Sequence, residues 1–322
     1  MDVLIAGAGV IGCSAAAFLA EAGHSVTVID RVGIASGASG RNSGVLQYPF
    51  DDVLGPLHWQ TVEHHRTVID LPDEPDGTLL LGTRDTSGHA PVLRAEVIEE
   101  ARAVEPLVHP GIPAVRLHMG YVVGPERVTL AWAERARQAG VRFETGEWTP
   151  AVTAASKADV VILATGAWAP GVSPLWGVTV PVTRTASAIL EEHGIDDVVD
   201  GGGGVAFGLC GAVLGSTASR TEPYPAQVAP ALVERARRYV EGVEAAGPPR
   251  ACPRPNSPDG RPLVGRLDDD RTWMCAGHGA WGISIGVATA KLLVDAILDG
   301  AEIPAGLDPR RFPDVQESVT SP

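Results

Sequence analysis

Two glycine-rich turns, one near each end of the 322-residue chain, carry the chemistry that stands out in the sequence. The first, Gly7-Ala8-Gly9-Val10-Ile11-Gly12, follows the apolar run Asp2-Val3-Leu4-Ile5-Ala6. Gly7 lets the chain turn tightly, Gly9 lets the backbone approach a pyrophosphate, and Gly12 lets a helix pack closely on the preceding strand. Phosphates at such a turn meet free amides and the positive end of a helix dipole. Asp30 stands about 20 residues beyond the turn, the separation at which a carboxylate accepts hydrogen bonds from a ribose 2′-OH. The second turn, Gly277-His278-Gly279-Ala280-Trp281-Gly282, opens another helix, whose N-terminus suits an electron-rich ligand atom.

The elements around the first turn form a βαβ unit. Ile11, Ala15, Phe18, Leu19 and Ala22 fall on one helix face, Gly23 ends the helix, and Val26-Thr27-Val28-Ile29 forms the next strand. Val3 to Ala22 carries a single charge, Glu21, yet lacks a basic start and holds three glycines at phosphate-loop spacing. It is expected to be a soluble core element rather than a signal sequence or membrane span. After Asp30 comes a long Gly/Ser stretch containing Arg31, Ser39, Arg41, Asn42 and Ser43. A plain nicotinamide-binding unit would begin a helix there; a loop offers more backbone amides to a larger cofactor. Asp159 to Ala164 reads as a buried strand running into Thr165-Gly166-Ala167-Trp168. Ligands gather at the carboxyl ends of strands in open α/β sheets, so this edge is expected to border the same cofactor.

Two excursions separate these pieces. In the first, Val45 to Tyr121, helices are expected over His58–Leu71 and Val92–Val104 with a strand at Thr78–Leu81. The adjacent His64 and His65 point to different helix faces and are expected at the surface, not as a metal pair. A helix over Val128–Ala139 and a strand over Val141–Thr145 follow. The second excursion, Val178 to Arg254, is expected to hold strands at Val180–Leu190 and Gly204–Leu214, joined through a pliable Gly201–Gly204, and a helix over Gln227–Ala245. A turn-rich passage from Pro255 to Gly265 leads to a strand at Thr272–Ala276 and a helix ending at Gly300. The tail with Pro304, Pro309 and Pro313 is expected to be loosely ordered.

Composition sets bounds on partners. A formal charge of −14 argues against nucleic acid and anionic membranes, which need basic patches. Cys13, Cys210, Cys252 and Cys275 show no CxxC spacing, so neither a zinc site nor a disulfide framework is indicated, and a reducing cytoplasm fits. The length suits two domains or one large α/β domain with an insertion.

One succession of motifs spans nearly the whole chain. It runs from the Gly7–Gly12 turn through Asp30-Arg31, Ser39-Gly40-Arg41-Asn42-Ser43-Gly44, Glu105-Pro106 and Ala164-Thr165-Gly166-Ala167-Trp168. It continues with Arg254-Pro255, Pro258-Asp259-Gly260 and Gly277-His278-Gly279. Together these resemble the FAD-dependent D-amino-acid oxidase superfamily, and most of all its branch with glycine oxidase, D-amino-acid dehydrogenase and monomeric sarcosine oxidase.

The resemblance implies an α/β fold: a Rossmann-like FAD-binding domain with a discontinuous α+β substrate domain built on an antiparallel sheet. The FAD-binding segments would be 1–46, 125–178 and 259–300, the substrate segments 47–124 and 179–258, and 301–322 a C-terminal tail. It also implies oxidation of a C–N bond in a small amino acid or amine. Hydride passes from Cα to flavin, the imine hydrolyses, and oxygen or another acceptor takes the electrons. Arg254 falls on the arginine that pairs with the substrate carboxylate in glycine oxidase-like members, a task suited to a planar two-pronged donor.

Gly277, Gly279, Gly282 and Ile283 fall on the segment near the flavin pyrimidine, with His278 lining the site. Trp281 stands where sarcosine oxidase has a lysine, and Lys157 and Lys291 are the chain's sole lysines, so carboxylate anchoring departs from the sarcosine pattern. Cys252 matches the cysteine that carries covalent FAD in sarcosine oxidase-like enzymes; non-covalent FAD is the expected state, a link at Cys252 the alternative. Tyr121, Tyr224, Trp281 and His118 are further candidates for the pocket. Competing readings are an N-methyl amino acid oxidase with covalent FAD, an NAD-dependent dehydrogenase and a non-catalytic flavoprotein subunit.

Overall fold

The computed structural model describes residues 1–87, 93–192, 204–313 and 315. Short apolar runs buried on both faces build the first sheet. Its strands are β1 (Asp2–Ala6), β2 (Ser25–Asp30), β8 (Arg142–Thr145), β9 (Val160–Leu163), β15 (Leu263–Arg266) and β16 (Thr272–Ala276). They lie in the order β15-β16-β9-β1-β2-β8, parallel throughout except for β15 against β16. β1 is flanked by β2 on one side and β9 on the other, so the chain leaves its carboxyl end in one direction and returns from the other. This is the switch point at which doubly wound sheets bind ligands.

Helices α1 (Val10–Glu21), α3 (Gly55–Arg66), α4 (Pro125–Gln138) and α7 (Gly282–Asp299) pack into one layer, α1 against α4 and α7, and α7 against α3. The fully buried Ala15, Ala16 and Ala17 keep α1 slim enough for neighbours on several sides. α7 is long and apolar enough to cross a bilayer, but here it is a core helix, with Ile285, Val287, Ala290 and Leu293 fully buried. It ends on Gly300 at φ 70°, a left-handed cap.

The second sheet contains β4 (Thr78–Leu81), β5 (Ala95–Ile98), β6 (Ala114–Leu117), β10 (Ser173–Pro181), β11 (Ile189–Glu192), β12 (Gly204–Cys210), β13 (Val213–Ala218) and β14 (Arg250–Asn256). Its order is β14-β10-β13-β12-β11-β4-β6-β5, antiparallel except where β11 meets β4. α6 (Pro225–Ala236) covers one face through Leu232, Val233 and Ala236. The opposite face looks into the cavity described below. A short ribbon of β3 (Val45–Leu46) and β7 (Tyr121–Val122), together with α2 (Ala38–Arg41) and α5 (Pro150–Ala155), completes the elements. The architecture is the expected α/β class, a mainly parallel nucleotide-type sheet beside a separate, mainly antiparallel one.

Several expected elements are rearranged. In place of a helix at 92–104 there are strand β5 and a short 3-10 turn at Ala101–Ala103, because β5 completes the sheet edge on β6; Val92 lies outside the described residues. The strand expected over Val180–Leu190 is split between β10 and β11. The one expected over Gly204–Leu214 is the β12–β13 hairpin, broken at Gly211, φ 54°. Of the Gly201–Gly204 connector, 201–203 lie outside the described residues. α6 stops at Ala236 instead of Ala245, since Val240 bridges to Val108 and Ala245 to Val182. His65, expected at the surface, is fully buried, while His64 is half-buried. The tail is packed as far as it is described: the Val264 amide donates to Leu307 O at 2.7 Å, and Leu307 and Val315 are buried.

Candidate functional site

A cavity of about 1150 Å3 runs from the first glycine turn, past the ends of β1, β2 and β9, to the start of α7 and across the open face of the second sheet. Backbone fit dictates its first wall. Gly7 has φ 107°, and a Cβ there would collide with Ala164 O. A Cβ on Gly12 would strike Gly7 O. Helix, strand and the 164–166 edge therefore close on one another without room for a methyl group.

The N-terminus of α1 has no side-chain cap and no acid in its first turn. Its first intrahelical bond is Cys13 N to Gly9 O at 2.9 Å. The Ile11 amide, in the cavity wall, is thus a first-turn donor that needs an acceptor from outside the helix. The Val10 amide donates to Ser39 Oγ at 3.0 Å, and a Cβ on Gly9 would lie 2.9 Å from the same oxygen. This cradle fits an anionic pyrophosphate.

Asp30 is fixed at the end of β2: Oδ2 accepts from Ala8 N at 2.9 Å, and Oδ1 from Val32 N at 2.9 Å and Gly33 N at 2.8 Å. Both oxygens keep acceptor capacity for ribose hydroxyls. Beside it the Arg31 guanidinium stacks 4.6 Å over the ring of Trp168. Asn42 braces its own loop, donating to Ala38 O and accepting from Gly44 N, both at 2.9 Å; Arg41 and Ser43 face the cavity. Thr165 Oγ1 is a buried hydroxyl in this wall with no partner among the described residues, which a ligand would satisfy. These features fit a dinucleotide such as FAD.

At the far end Gly279 adopts φ 55°, allowing the sharp entry into α7, whose N-terminus has no side-chain cap. Gly279, Gly282 and Ile283 line the cavity. Gly12, Gly277 and His278 do not: they stand behind the wall. His278 is fully buried, with Nε2 2.8 Å from Thr289 Oγ1, and burial pushes its pKa down to about 3, so the ring is neutral. The structure therefore brings Arg254 to the cavity but not His278.

Arg254, on β14 opposite Leu175 of β10, lines the cavity with no anionic partner among the described residues. Enclosure lowers its pKa. Cys252 sits on the same strand face, opposite Gly177, and burial raises its thiol pKa. Trp281 also lines the cavity. Tyr121 is buried in the core, Tyr224 is exposed, and His118 sits 3.6 Å from Glu96; none of the three is in the wall.

Sequence reasoning missed Glu191 and Gln47. Glu191, on β11, points into the cavity, where Gln47 Nε2 donates to both carboxylate oxygens at 2.9 and 3.0 Å. The Gln47 backbone amide donates to Ser284 Oγ of α7 at 2.9 Å, tying the pair to the second glycine turn. Enclosure raises the Glu191 pKa, with the Gln47 hydrogen bond opposing it. One signal was available: in Ile189-Leu190-Glu191 the acid shares a strand face with Ile189, an acid where an apolar residue is expected.

Comparison with known proteins bears on the fold and the family. The profile of the FAD dependent oxidoreductase family (DAO) matches residues 2–296. Glycine oxidase from Bacillus cereus superposes with a TM-score of 0.75 at 21% identity, covering 94% of this chain and 96% of that one. Glycine oxidase from Geobacillus kaustophilus gives 0.74 at 23%, covering 97% and 98%. At such identities both show the fold. D-amino acid dehydrogenase from Neisseria meningitidis is 57% identical over 51 residues, which are 16% of this chain and 12% of that relative's length.

Proposed function

The chain belongs to the FAD dependent oxidoreductase family, and from that premise we propose that it oxidises the C–N bond of a small amino acid or amine. The observation that carries this reading is the unpaired Arg254 in the cavity wall. A guanidinium enclosed without a counter-ion is costly unless a ligand supplies one, and a carboxylate matches its two parallel donors.

The glycine turn and the α1 amides would hold the pyrophosphate of FAD, Asp30 its ribose, and the start of α7 its ring system. Bound FAD supplies the two-electron acceptor, and the imine product hydrolyses in water. The protein's part is to bind and orient. Arg254 holds the carboxylate, and the face of the second sheet excludes water above the reacting carbon.

Two observations favour non-covalent FAD. Burial keeps the Cys252 thiol protonated, whereas the thiolate is the reactive form, and Cys252 Sγ donates to a backbone oxygen, Ala38 O at 4.0 Å.

The test is an anaerobic flavin-bleaching screen over D-, L- and N-methyl amino acids, repeated in air with peroxide detection. Bleaching by an amino acid is expected; bleaching without peroxide assigns a dehydrogenase. A colourless protein with NAD-dependent turnover overturns the reading.

A further inference from the structure

Glu191 poses the same question as Arg254 with the sign reversed. Its carboxylate faces the cavity, no cation pairs with it among the described residues, and its partner there is the neutral amide of Gln47. Arg254 and Glu191 do not pair with each other, although they share one sheet face. Arg254 is on the first strand of the order β14-β10-β13-β12-β11 and Glu191 on the fifth, about 19 Å away across the sheet at ordinary strand spacing; Glu191 is moreover in register with Arg250, four residues from Arg254, a further ~13 Å along the strand.

The sheet face beside Glu191 carries small residues. Glu191 lies opposite Gly208 of β12, and Gly208 opposite Gly215 of β13, so in that register neither strand carries a side chain; Cys210, two residues on along β12, also lines the cavity. The nearest atoms to a Cβ on Gly215 would be the methyl of Thr179 at 3.6 Å, Val178 O at 3.7 Å and Ser43 Cβ at 3.9 Å. An enclosed anion and an enclosed cation, unpaired and separated by open space, are complementary to a ligand that carries both charges.

We infer that Glu191, held by Gln47, is the receptor for a positively charged substrate nitrogen, the opposite pole to Arg254. The inference rests on the amino acid reading above and deepens it by assigning the residue that meets the substrate's positive charge. The nitrogen is either the reacting amine, with both side chains reaching inward, or a second amine on a longer side chain.

Holoenzyme and E191Q are titrated anaerobically while flavin absorbance is read. The ligands are acetate and propionate, which lack nitrogen; ethylammonium; glycine and alanine; and lysine and ornithine. E191Q is expected to weaken the nitrogen ligands by ~10- to 100-fold, the range for losing a charged hydrogen bond, and to leave acetate and propionate unchanged. Equal weakening of glycine and lysine assigns the reacting amine; weakening of lysine and ornithine alone assigns the distal one. Q47L should shift the same ligands in the same direction by less.

The inference is overturned if E191Q binds every nitrogen ligand like the wild type, if it weakens acetate equally, or if no ammonium ligand perturbs the wild-type flavin. A wild type bleached by no amino acid, yet still binding ethylammonium through Glu191, would sink the oxidation reading and leave this one standing.

Discussion

The indole N–H of Trp132 donates to Nδ1 of His65 at 3.2 Å, while Nε2 of the same ring lies 3.0 Å from Ile283 O. An indole nitrogen only donates and a carbonyl only accepts, so the ring is neutral with its proton on Nε2. This pair of bonds joins α3, α4 and α7 directly behind the cavity wall at Ile283.

Burial pushes the pKa of His65 and of His58 down to about 4 and that of His278 to about 3, from an ordinary value of 6.5. The unfolded chain therefore takes up these protons first. Stability is expected to be flat above pH 6.5 and to fall between 6.5 and about 4, by up to about 1.4 kcal/mol per pH unit for each histidine. Thermal unfolding from pH 8 to 5 at constant ionic strength checks this; a melting temperature unchanged down to pH 5 contradicts neutral burial of the three rings.

Gly12→Ala and Gly9→Ala should differ in kind. At Gly12 the new methyl meets the backbone oxygen of Gly7, which has nowhere to go, and at Gly9 it meets the hydroxyl of Ser39, which can rotate. Gly12→Ala is expected to cost ~2 kcal/mol or more as an overpacked core. Gly9→Ala should fold like the wild type but retain less FAD. Melting of the apoprotein and flavin content after gel filtration separate the two.

Denaturation should release all flavin. A thiol whose pKa is raised by burial is a poor nucleophile, so the intact mass of the unfolded chain is expected to match the sequence alone. A mass increased by FAD would assign a thioether, and Cys252→Ser would then remove it.

Replacing Arg254 tests geometry as well as charge. Arg254→Ala is expected to raise the Michaelis constant for amino acids by ~100-fold or more, as loss of a charge-assisted bidentate pair does. Arg254→Lys restores charge without the planar fork and should recover only part of that. An unchanged constant in Arg254→Ala removes the anchor role.

Without ligand, E191Q should be more stable than the wild type. The folded-state pKa of Glu191 is raised, so its stability contribution is full below the ordinary value of 4.5 and is lost as pH rises. The gain in melting temperature should therefore be larger at pH 8 than at pH 4, a stability cost that function imposes. Apoprotein melting at the two pH values checks it.

Much of the cofactor half was legible in the sequence because its signals are local. The strand at 160–163, the strand at 272–276 and the helix ending on Gly300 each announce themselves by apolar runs and cap residues. The second sheet was less legible because its strands exist by pairing. β5 carries the half-exposed Val97 and is a strand only because β6 lies beside it. α6 ends where Val240 finds Val108, a partner more than a hundred residues earlier. Glu191 left a single local signal, an acid on the strand face of Ile189, and its significance comes from Gly208, Gly215 and Gln47, which distant segments bring to it.

The packing of α1 against α7 also sets a timetable for synthesis. The first βαβ unit leaves the ribosome with its helix complete, yet the helix that covers it begins roughly 260 residues later, at Gly282. At ribosomal rates the interval is on the order of tens of seconds. Throughout it, the apolar side of α1 that α7 will cover must be shielded by something else, a chaperone or the growing chain. A break in translation between Ala276 and Gly282 would leave every strand of the nucleotide-type sheet but not its closing helix, which quality control can recognise by that exposed face.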